Sequence, residues 1–320
     1  MAAPTSAATT WNCPNYLGDL IVTASPTKTP LLQMSGGLNG VKVSNNFVFP
    51  IDQEYTQTAA SQPSITETAS LTAPTAISIV RSPVVNTCQI VHEQVAISYA
   101  KMSNFGKLDS TSTNALTAGM SPNPTDEKAF QISKALEKIA RDAEYSIIQG
   151  AYVAHTAVGT ASTTRGLSAA IVEGGTVVAA NGATLTKAMI QTLLRNMFTA
   201  GAQFVNPMFV VNAFQKQLLS SLYAYAPADR NIGGVNIKQI ETDFGNIGVI
   251  LDAFQVTSVV GLYDMSWVSL VTCPVPGKGN MFYEELSKTG ASEKGQIYGQ
   301  IGLDHGPEFM HGHISGLATS

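Results

Sequence analysis

The sequence predicts an α+β fold: an extended β-hairpin, then one long amphipathic helix, then an inserted α/β unit, and finally a sheet that covers the helix. Three observations carry this. Apolar residues alternate at a period of two between Val41 and Phe105. They switch to spacings of three and four over Asp126 to Gln149. After Gly261 the chain returns to short strands separated by Gly and Pro.

In chain order, Met1 to Thr10 is small and polar and reads as a flexible arm. Tyr16 to Val22 is a short helix or strand, Pro26 and Pro30 punctuate the chain, and Leu31-Leu32-Gln33-Met34 precedes Gly36-Gly37. This arm has too few apolar residues to fold alone. Val41, Val43, Phe47, Val48 and Phe49 form one strand region, and Ile90, Val91, Val95, Ile97 and Tyr99 form its partner. Between them, Thr56 to Thr75 is Thr, Ser, Ala, Gln and Pro with almost no apolar anchor, as expected of a hairpin tip whose ordering contacts come from another subunit.

The clearest helix is Asp126 to Gln149, with Thr125 as N-cap, acidic residues on the positive end of the dipole and Gly150 at its close. Ile132, Leu136, Ile139, Ala143 and Ile147 make one apolar stripe, and Glu137 with Arg141 and Lys138 with Asp142 are spaced as i,i+4 pairs on the other face. At 1.5 Å per residue such a helix reaches about 36 Å. Gly159 to Gly182 reads as a loop or a pair of short strands. A second helix, Leu185 to Thr199, takes Thr184 as its cap and carries Met189, Leu193, Leu194, Met197 and Phe198 on one side. Met208 to Val211 is a buried strand, Phe214 to Leu222 a helix, and Val235 to Ile240 with Gly248 to Leu251 further strands. Trp267 to Val271, Met281 to Glu285, Gln296 to Leu303 and His311 to Ile314 make the late sheet, which the long helix covers.

The chain has 320 residues, enough for two or three compact units. Charged residues are 12% of it, about half the share of an ordinary soluble domain, which favours a surface covered by copies of itself, with a secreted Thr/Ser-rich hydrolase or adhesin as the alternative of the same composition. A net charge of -4 without a basic run argues against a dedicated nucleic-acid reader and leaves nonspecific contact at most. Cys13, Cys88 and Cys273 are far apart and read as reduced thiols. No apolar run is long enough to span a membrane, and Met1 to Thr10 lacks the features of a signal peptide.

Catalytic motifs are weak. Asp304, His305, Glu308, His311 and His313 could in principle bind a divalent metal, with His311 and His313 on one strand face. They lack HExxH-like placement, so they read as hydrogen-bonded strand histidines, and His92 and His155 as structural. Gly166-Leu167-Ser168-Ala169-Ala170 lacks the second glycine of a nucleophile elbow. Gly277-Lys278-Gly279 lacks the Ser/Thr of a phosphate loop and reads as a hairpin turn. No catalytic, cofactor-binding or metal-binding residue is assigned.

Tyr16-Leu17-Gly18-Asp19, Thr23-Ala24-Ser25-Pro26, Thr29-Pro30-Leu31-Leu32, Phe47, Phe49, the stretch Gln131 to Tyr145 and Thr164-Arg165-Gly166-Leu167 together resemble a family of tailed-bacteriophage major capsid proteins. The derived element order is similar to the Hong Kong 97-type capsid fold. The resemblance implies an N-terminal arm over 1–40 and an extended β-hairpin, the E-loop, over 41–105. It further implies a P-domain over 106–183 and 261–320, whose spine helix runs from about 126 to 149, and an inserted A-domain over 184–260.

It also implies a structural protein that self-assembles through pentamers and hexamers into an icosahedral head around double-stranded DNA, put together in the host cytoplasm. Its partners would be further copies of itself, portal and scaffolding proteins, and a decoration protein. Some shells of this fold crosslink a hairpin lysine to a neighbour. Lys42 lies at the base of the hairpin and its tip carries no lysine, so such crosslinking is not expected. Two alternatives stand beside this reading. One is an encapsulin-type nanocompartment, which would need a cargo-peptide groove. The other is a metal-dependent hydrolase working through the Asp304 to His313 cluster, which would lose activity in His311→Ala and His313→Ala variants.

Overall fold

The computed structural model describes residues 28–55, 59–74, 78–103, 127–223, 238–288 and 290–319. The expected arm over Met1 to Thr10, the element at Tyr16 to Val22, Cys13, the Thr125 cap with Asp126, and 235–237 of the strand expected from Val235 lie outside the described residues.

The chain opens with helix α1 (Pro30–Met34), strands β1 (Lys42–Val43) and β2 (Val48–Glu54), and one helical turn, α2 (Glu67–Ser70). Strands β3 (Ser82–Thr87) and β4 (Gln89–Ser98), the short α3 (Tyr99–Ser103) and the long α4 (Glu127–Gln149) follow. Next come α5 (Leu167–Gly174), β5 (Thr176–Ala179), α6 (Lys187–Ala200), β6 (Pro207–Val211) and α7 (Ala213–Tyr223). Strands β7 (Gln239–Thr242), β8 (Gly245–Leu251), β9 (Val260–Asp264), β10 (Ser269–Thr272), β11 (Met281–Glu285), β12 (Ser292–Asp304) and β13 (Gly312–Ser315) complete the fold.

Three sheets result. The first is organised by β12, which pairs antiparallel with β10 and β11 along one edge and with β4 along the other, while β1 adds parallel to β10. Period-two alternation explains β12: Ile297, Ile301 and Leu303 turn inward, and Gln296, Tyr298 and Gln300 turn outward. Helix α4 lays Ile139, Ala143 and Ile147 on that inner face, against Ile297, Ile301, Leu303, Leu270 and Val91. Its outer face carries Lys138 against Asp142 at 3.1 Å and also against Glu93, whereas Glu137 takes Lys134 at 2.7 Å in place of Arg141.

The second sheet runs β5-β13-β9-β6-β8-β7. Its strands β6 and β9 are buried on both faces. Phe209, Val211, Val260 and Leu262 face a core shared with Leu193, Leu194 and Met197 of α6, while Val210 and Tyr263 face the core under α4. One sheet therefore forms a wall of both cores.

Four expectations change. Ile90 to Ile97 do not pair with Val41 to Phe49, and Tyr99, expected on the same strand, opens helix α3. The hairpin, the third sheet, is β2 with β3 across Val48↔Thr87 to Glu54↔Ser82, and β4 joins the first sheet instead. Ser82-Pro83-Val84-Val85-Asn86-Thr87 has no clean alternation, because a two-stranded ribbon has no buried face to require one. His311 to Ile314 is not in the late sheet, since β13 lies between β5 and β9. Within Gly159 to Gly182 the structure has helix α5 and strand β5, and the only strand-like pairing before them is the Val153↔Thr163 bridge. Finally, α6 is capped by Thr186, whose Oγ1 accepts from Met189 N, and not by Thr184. Thr186→Ala is expected to cost about 1 kcal/mol, and the exposed Thr184→Ala less than about 0.5 kcal/mol; chemical denaturation of the subunit distinguishes the two caps.

Candidate assembly surfaces

The hairpin leaves the body as a ribbon two strands wide, with a register shift between Pro50 and Asp52 that bends it. Every described residue from 59 to 74 and from 78 to 83 is exposed. Among them are large apolar side chains: Leu71 at 85%, Val80 at 82% and Ile65 at 73% exposure. A ribbon of two strands has no interior to receive them, and they stand exposed.

The root of the hairpin, by contrast, is fixed. Phe49 packs with Cys88 and Val271, and its ring lies over Gly302 of β12, where an added Cβ would come 2.7 Å from the ring. Asn86, fully buried, uses its whole side chain. Its Nδ2 donates to Leu303 O at 2.7 Å and Arg165 O at 3.1 Å, and its Oδ1 accepts from Arg165 N and Thr87 N, both at 2.8 Å. Thr164 Oγ1 accepts from Leu303 N at 3.0 Å, so one polar knot ties β3, β12 and the turn into α5. In the same turn Gly166 N donates to Gly150 O at 2.9 Å, with the two backbones in contact. Arg165 pairs with Glu173 at 2.9 Å and Glu308 at 3.2 Å and stacks over Tyr152. Beside this root lies a cleft of about 500 Å³ lined by Phe47, Ile90, His155 and the 158–162 turn, with the Phe47 and His155 rings 4.9 Å apart.

A second exposed apolar feature lies at the far end of the six-stranded sheet. Phe198 and Phe204 pack tilted rings against Phe244, with centroids 5.6 and 5.8 Å from it, and Phe204 is held at φ +51°, which an aromatic residue rarely adopts. Phe198 and the adjoining Val205 are exposed.

Most of the Asp304 to His313 constellation is committed to internal bonds, whereas the buried His313 Nδ1 and His305 Nε2 have no hydrogen-bond partner among the described residues. Asp304 takes Lys42 on one oxygen and Gly306 N at 3.0 Å on the other. His311 Nδ1 accepts from Asp264 N at 3.2 Å and its Nε2 donates to His305 O at 2.6 Å, which fixes a neutral tautomer. His305 Nδ1 donates to Gly306 O at 2.7 Å. Burial holds all three histidines below their usual range, His305 down to about 4. His311 precedes β13, so it does not share a regular strand face with His313. Among the described residues no group of three or more His, Cys, Asp and Glu is arranged to hold a metal ion.

Elsewhere, His92 bonds Gln296 across the strands at 3.0 Å, and Lys278 in its turn reaches Glu284 at 2.6 Å. Gly166 is the N-cap of α5, which makes Ser168 an ordinary first-turn residue. Cys88 and Cys273 are free thiols, Cys88 pushed up to about 12 by burial. No helix among the described residues is long and apolar enough to cross a membrane.

Asn86, Glu144 and Asp264 were not singled out by type or spacing. Only their burial marks them: Asp264 accepts four hydrogen bonds, from Val205 N, Asn206 N, and Ser266 N and Oγ.

Comparison with known proteins is consistent with these surfaces. Residues 3–318 match a family model described as SU10 major capsid protein. No curated protein matches the chain in sequence. Among solved structures, the capsid of cyanophage A-1(L) is similar with a TM-score of 0.68 at 13% identity, covering 94% of this chain and 96% of that one. The capsid of an empty GTA particle gives 0.59 at 11% identity, with 94% of each chain covered. The SrpI encapsulin of Synechococcus elongatus PCC 7942 gives 0.54 at 10% identity, covering 94% and 93%. At these identities the structural likenesses establish the shared Hong Kong 97-type fold, and the family match supplies the rest.

Proposed function

The chain belongs to the SU10 major capsid protein family, and from that premise we propose that this phage major capsid subunit closes into an icosahedral head around double-stranded DNA, using its hairpin as the main contact between copies. The observation that carries the role of the hairpin is its uncovered apolar tip, Leu71 and Val80 above all. A heterologous contact, in which the tip of one copy seats on a different surface of the next, generates rings and then a closed shell. Many such contacts act together, so modest individual affinities suffice.

The same reading divides the chain into an arm over 1–40, an E-loop over 41–105, a P-domain over 106–183 and 261–320 and an A-domain over 184–260. The strand pairing favours shifting those bounds, because β1 and β4 join the β12-centred sheet with α4, and β5, β9 and β13 join the six-stranded sheet with α6 and α7. Assembly in the host cytoplasm and engagement of portal, scaffolding and decoration proteins belong to the same proposal. A mildly negative subunit would also leave packaged DNA free of the wall, and tight, salt-sensitive DNA binding by the subunit would count against that.

The test is a Leu71→Asp, Val80→Asp double variant of the recombinant chain. Its circular dichroism and denaturation midpoint are expected to match the parent, because neither side chain touches a core. Light scattering and negative-stain microscopy are expected to find rings or shells for the parent only, with the variant's assembly threshold raised at least tenfold, about 1.4 kcal/mol per contact. Shell formation by the variant at the parent's threshold would remove the hairpin tip from the assembly mechanism.

A further inference from the structure

We propose that the chain's own arm, through residues 16–22, crosses the spine helix α4 and adds as a strand to the free edge of β4. Strand β4 is ten residues long and pairs only with β12. Just past the last pair of that ladder, Ser98↔Ser292, Tyr99 N donates to Ala291 O at 3.2 Å. Bonding alternates back from there, so Val91, Glu93, Val95 and Ile97 turn their N–H and C=O groups to β12, while Ile90, His92, Gln94 and Ala96 turn theirs away from it. No described strand meets that side. Ile90, His92 and Gln94 are exposed, and none of the four is a proline, a lysine or an acid that would guard the edge. The other sheet ends are protected. Strands β1, β5, β7 and β11 have only two to five residues, and the ribbon strands β2 and β3 carry Pro50 and Pro83.

The place where the arm meets the body, and its length, select it as the occupant. Helix α1 begins on one flank of α4, where Leu31 N donates to Glu144 Oε1 at 2.9 Å and Leu32 N to Oε2 at 2.6 Å. The head of β4 lies on the other flank of the same turn, where Gln89 Nε2 donates to Ser146 Oγ at 2.9 Å. Between the two stands the exposed Tyr145. A path from flank to flank over a helix about 10–12 Å wide measures about 17 Å. That is about five extended residues. Counted back from Lys28, it brings Leu20, Ile21 and Val22 to Ile90, with Tyr16 and Leu17 further along the edge and the added strand antiparallel to β4. The segment suits the place, because Tyr16-Leu17-Gly18-Asp19-Leu20-Ile21-Val22 carries a single charge and five large apolar or aromatic residues. At the head of the edge, Ile90 also lines the cleft of about 500 Å³ beside Phe47 and His155, so free main-chain groups and a pocket for a bulky side chain adjoin. The arm so placed straps α4 onto its sheet.

Residue-resolved hydrogen exchange tests this on the full chain, kept below the concentration at which light scattering detects assemblies, so that the result does not depend on the role of the hairpin. The N–H groups of Ile90, His92, Gln94 and Ala96 are expected to exchange about tenfold more slowly, or slower still, than in an Ile21→Pro chain or in one lacking 1–27. Those of Val91, Glu93 and Val95, bonded to β12, are expected to be equally protected in all three, which verifies that the body is folded. Equal exchange of the outward N–H groups in the parent and both altered chains would overturn the strap. So would protection that survives the loss of 1–27, which would give the edge to another part of the chain. Protection that rises with protein concentration would give it to a second copy and overturn the strap as well.

Discussion

Gly166→Ala is expected to leave the chain unable to form its native body, with a loss of about 3 kcal/mol or more and a yield of assembled particles near zero. The turn that brings the end of α4 against the start of α5 is made by two glycines in contact. A Cβ on Gly166 would sit 2.5 Å from Gly150 N and 2.6 Å from Ser146 O, both backbone atoms that cannot swing aside. Gly150 is equally constrained, since its own Cβ would strike Ser146 O and Thr164 O. Relief requires moving the last turn of α4, where Ile147 and Ile148 are buried, so the cost spreads into the main core. Thermal unfolding of the purified subunit, with particle counts by microscopy, measures it. A Gly166→Ala chain that assembles normally would mean that this crossing is looser than its contacts imply.

Asn86→Ala is expected to cost about 3 kcal/mol through a different route. Alanine leaves Arg165 N–H, Arg165 O and Leu303 O without the side-chain partner that now serves them, in a site that water does not reach. Each orphaned buried group carries a penalty of about 1–3 kcal/mol, discounted where a carbonyl keeps another donor. Asn86→Asp separates hydrogen bonding from shape. It preserves the acceptor toward Arg165 N and Thr87 N but turns the donor toward two carbonyls into a second acceptor, so it should be at least as damaging as alanine. Since Asn86 roots the hairpin, the variants are also expected to lose the fixed angle at which the hairpin leaves the body, seen as increased proteolysis near Glu54 and Ser82.

Those two residues indicate where sequence reading reached its limit. The spine helix was legible because its stripe, Ile132 to Ile147, repeats over several turns, and β12 because Ile297, Ile301 and Leu303 alternate with polar residues. Pairing was less legible. Nothing within Ser82 to Thr87 tells which partner it takes, and Ile90 to Ile97 alternates equally well for a hairpin or for the edge of a sheet formed two hundred residues later. Helix α5 was hidden because Leu167-Ser168-Ala169-Ala170-Ile171-Val172 is apolar or small nearly all round, so the sequence shows no amphipathic period although the helix buries one face, Leu167, Ala170 and Ile171, and exposes Val172. The Thr184 and Thr186 caps are indistinguishable by type, being two residues apart ahead of the same helix. Asn86 and Glu144 look like ordinary polar residues, and their burial is a property of the assembled tertiary structure alone. Thr56 to Thr75 reads as almost without apolar anchors, yet Ile65 and Leu71 within it, and Val80 just beyond it, are among the most exposed large apolar side chains.

The division of β6 and β9 between two cores has a mechanical consequence. A hinge between the spine layer and the six-stranded layer would have to tear Val210 and Tyr263 from one packing or Phe209 and Leu262 from the other, so the two layers move as one plate. Subunits occupying non-equivalent places on a curved lattice must nevertheless differ in shape. In this chain the compliance is left to the rim: the bent ribbon of the hairpin, rooted at Asn86, and the short arm helix clipped to Glu144. In the assembly proposed above, curvature would follow from how those thin attachments bend around a stiff tile.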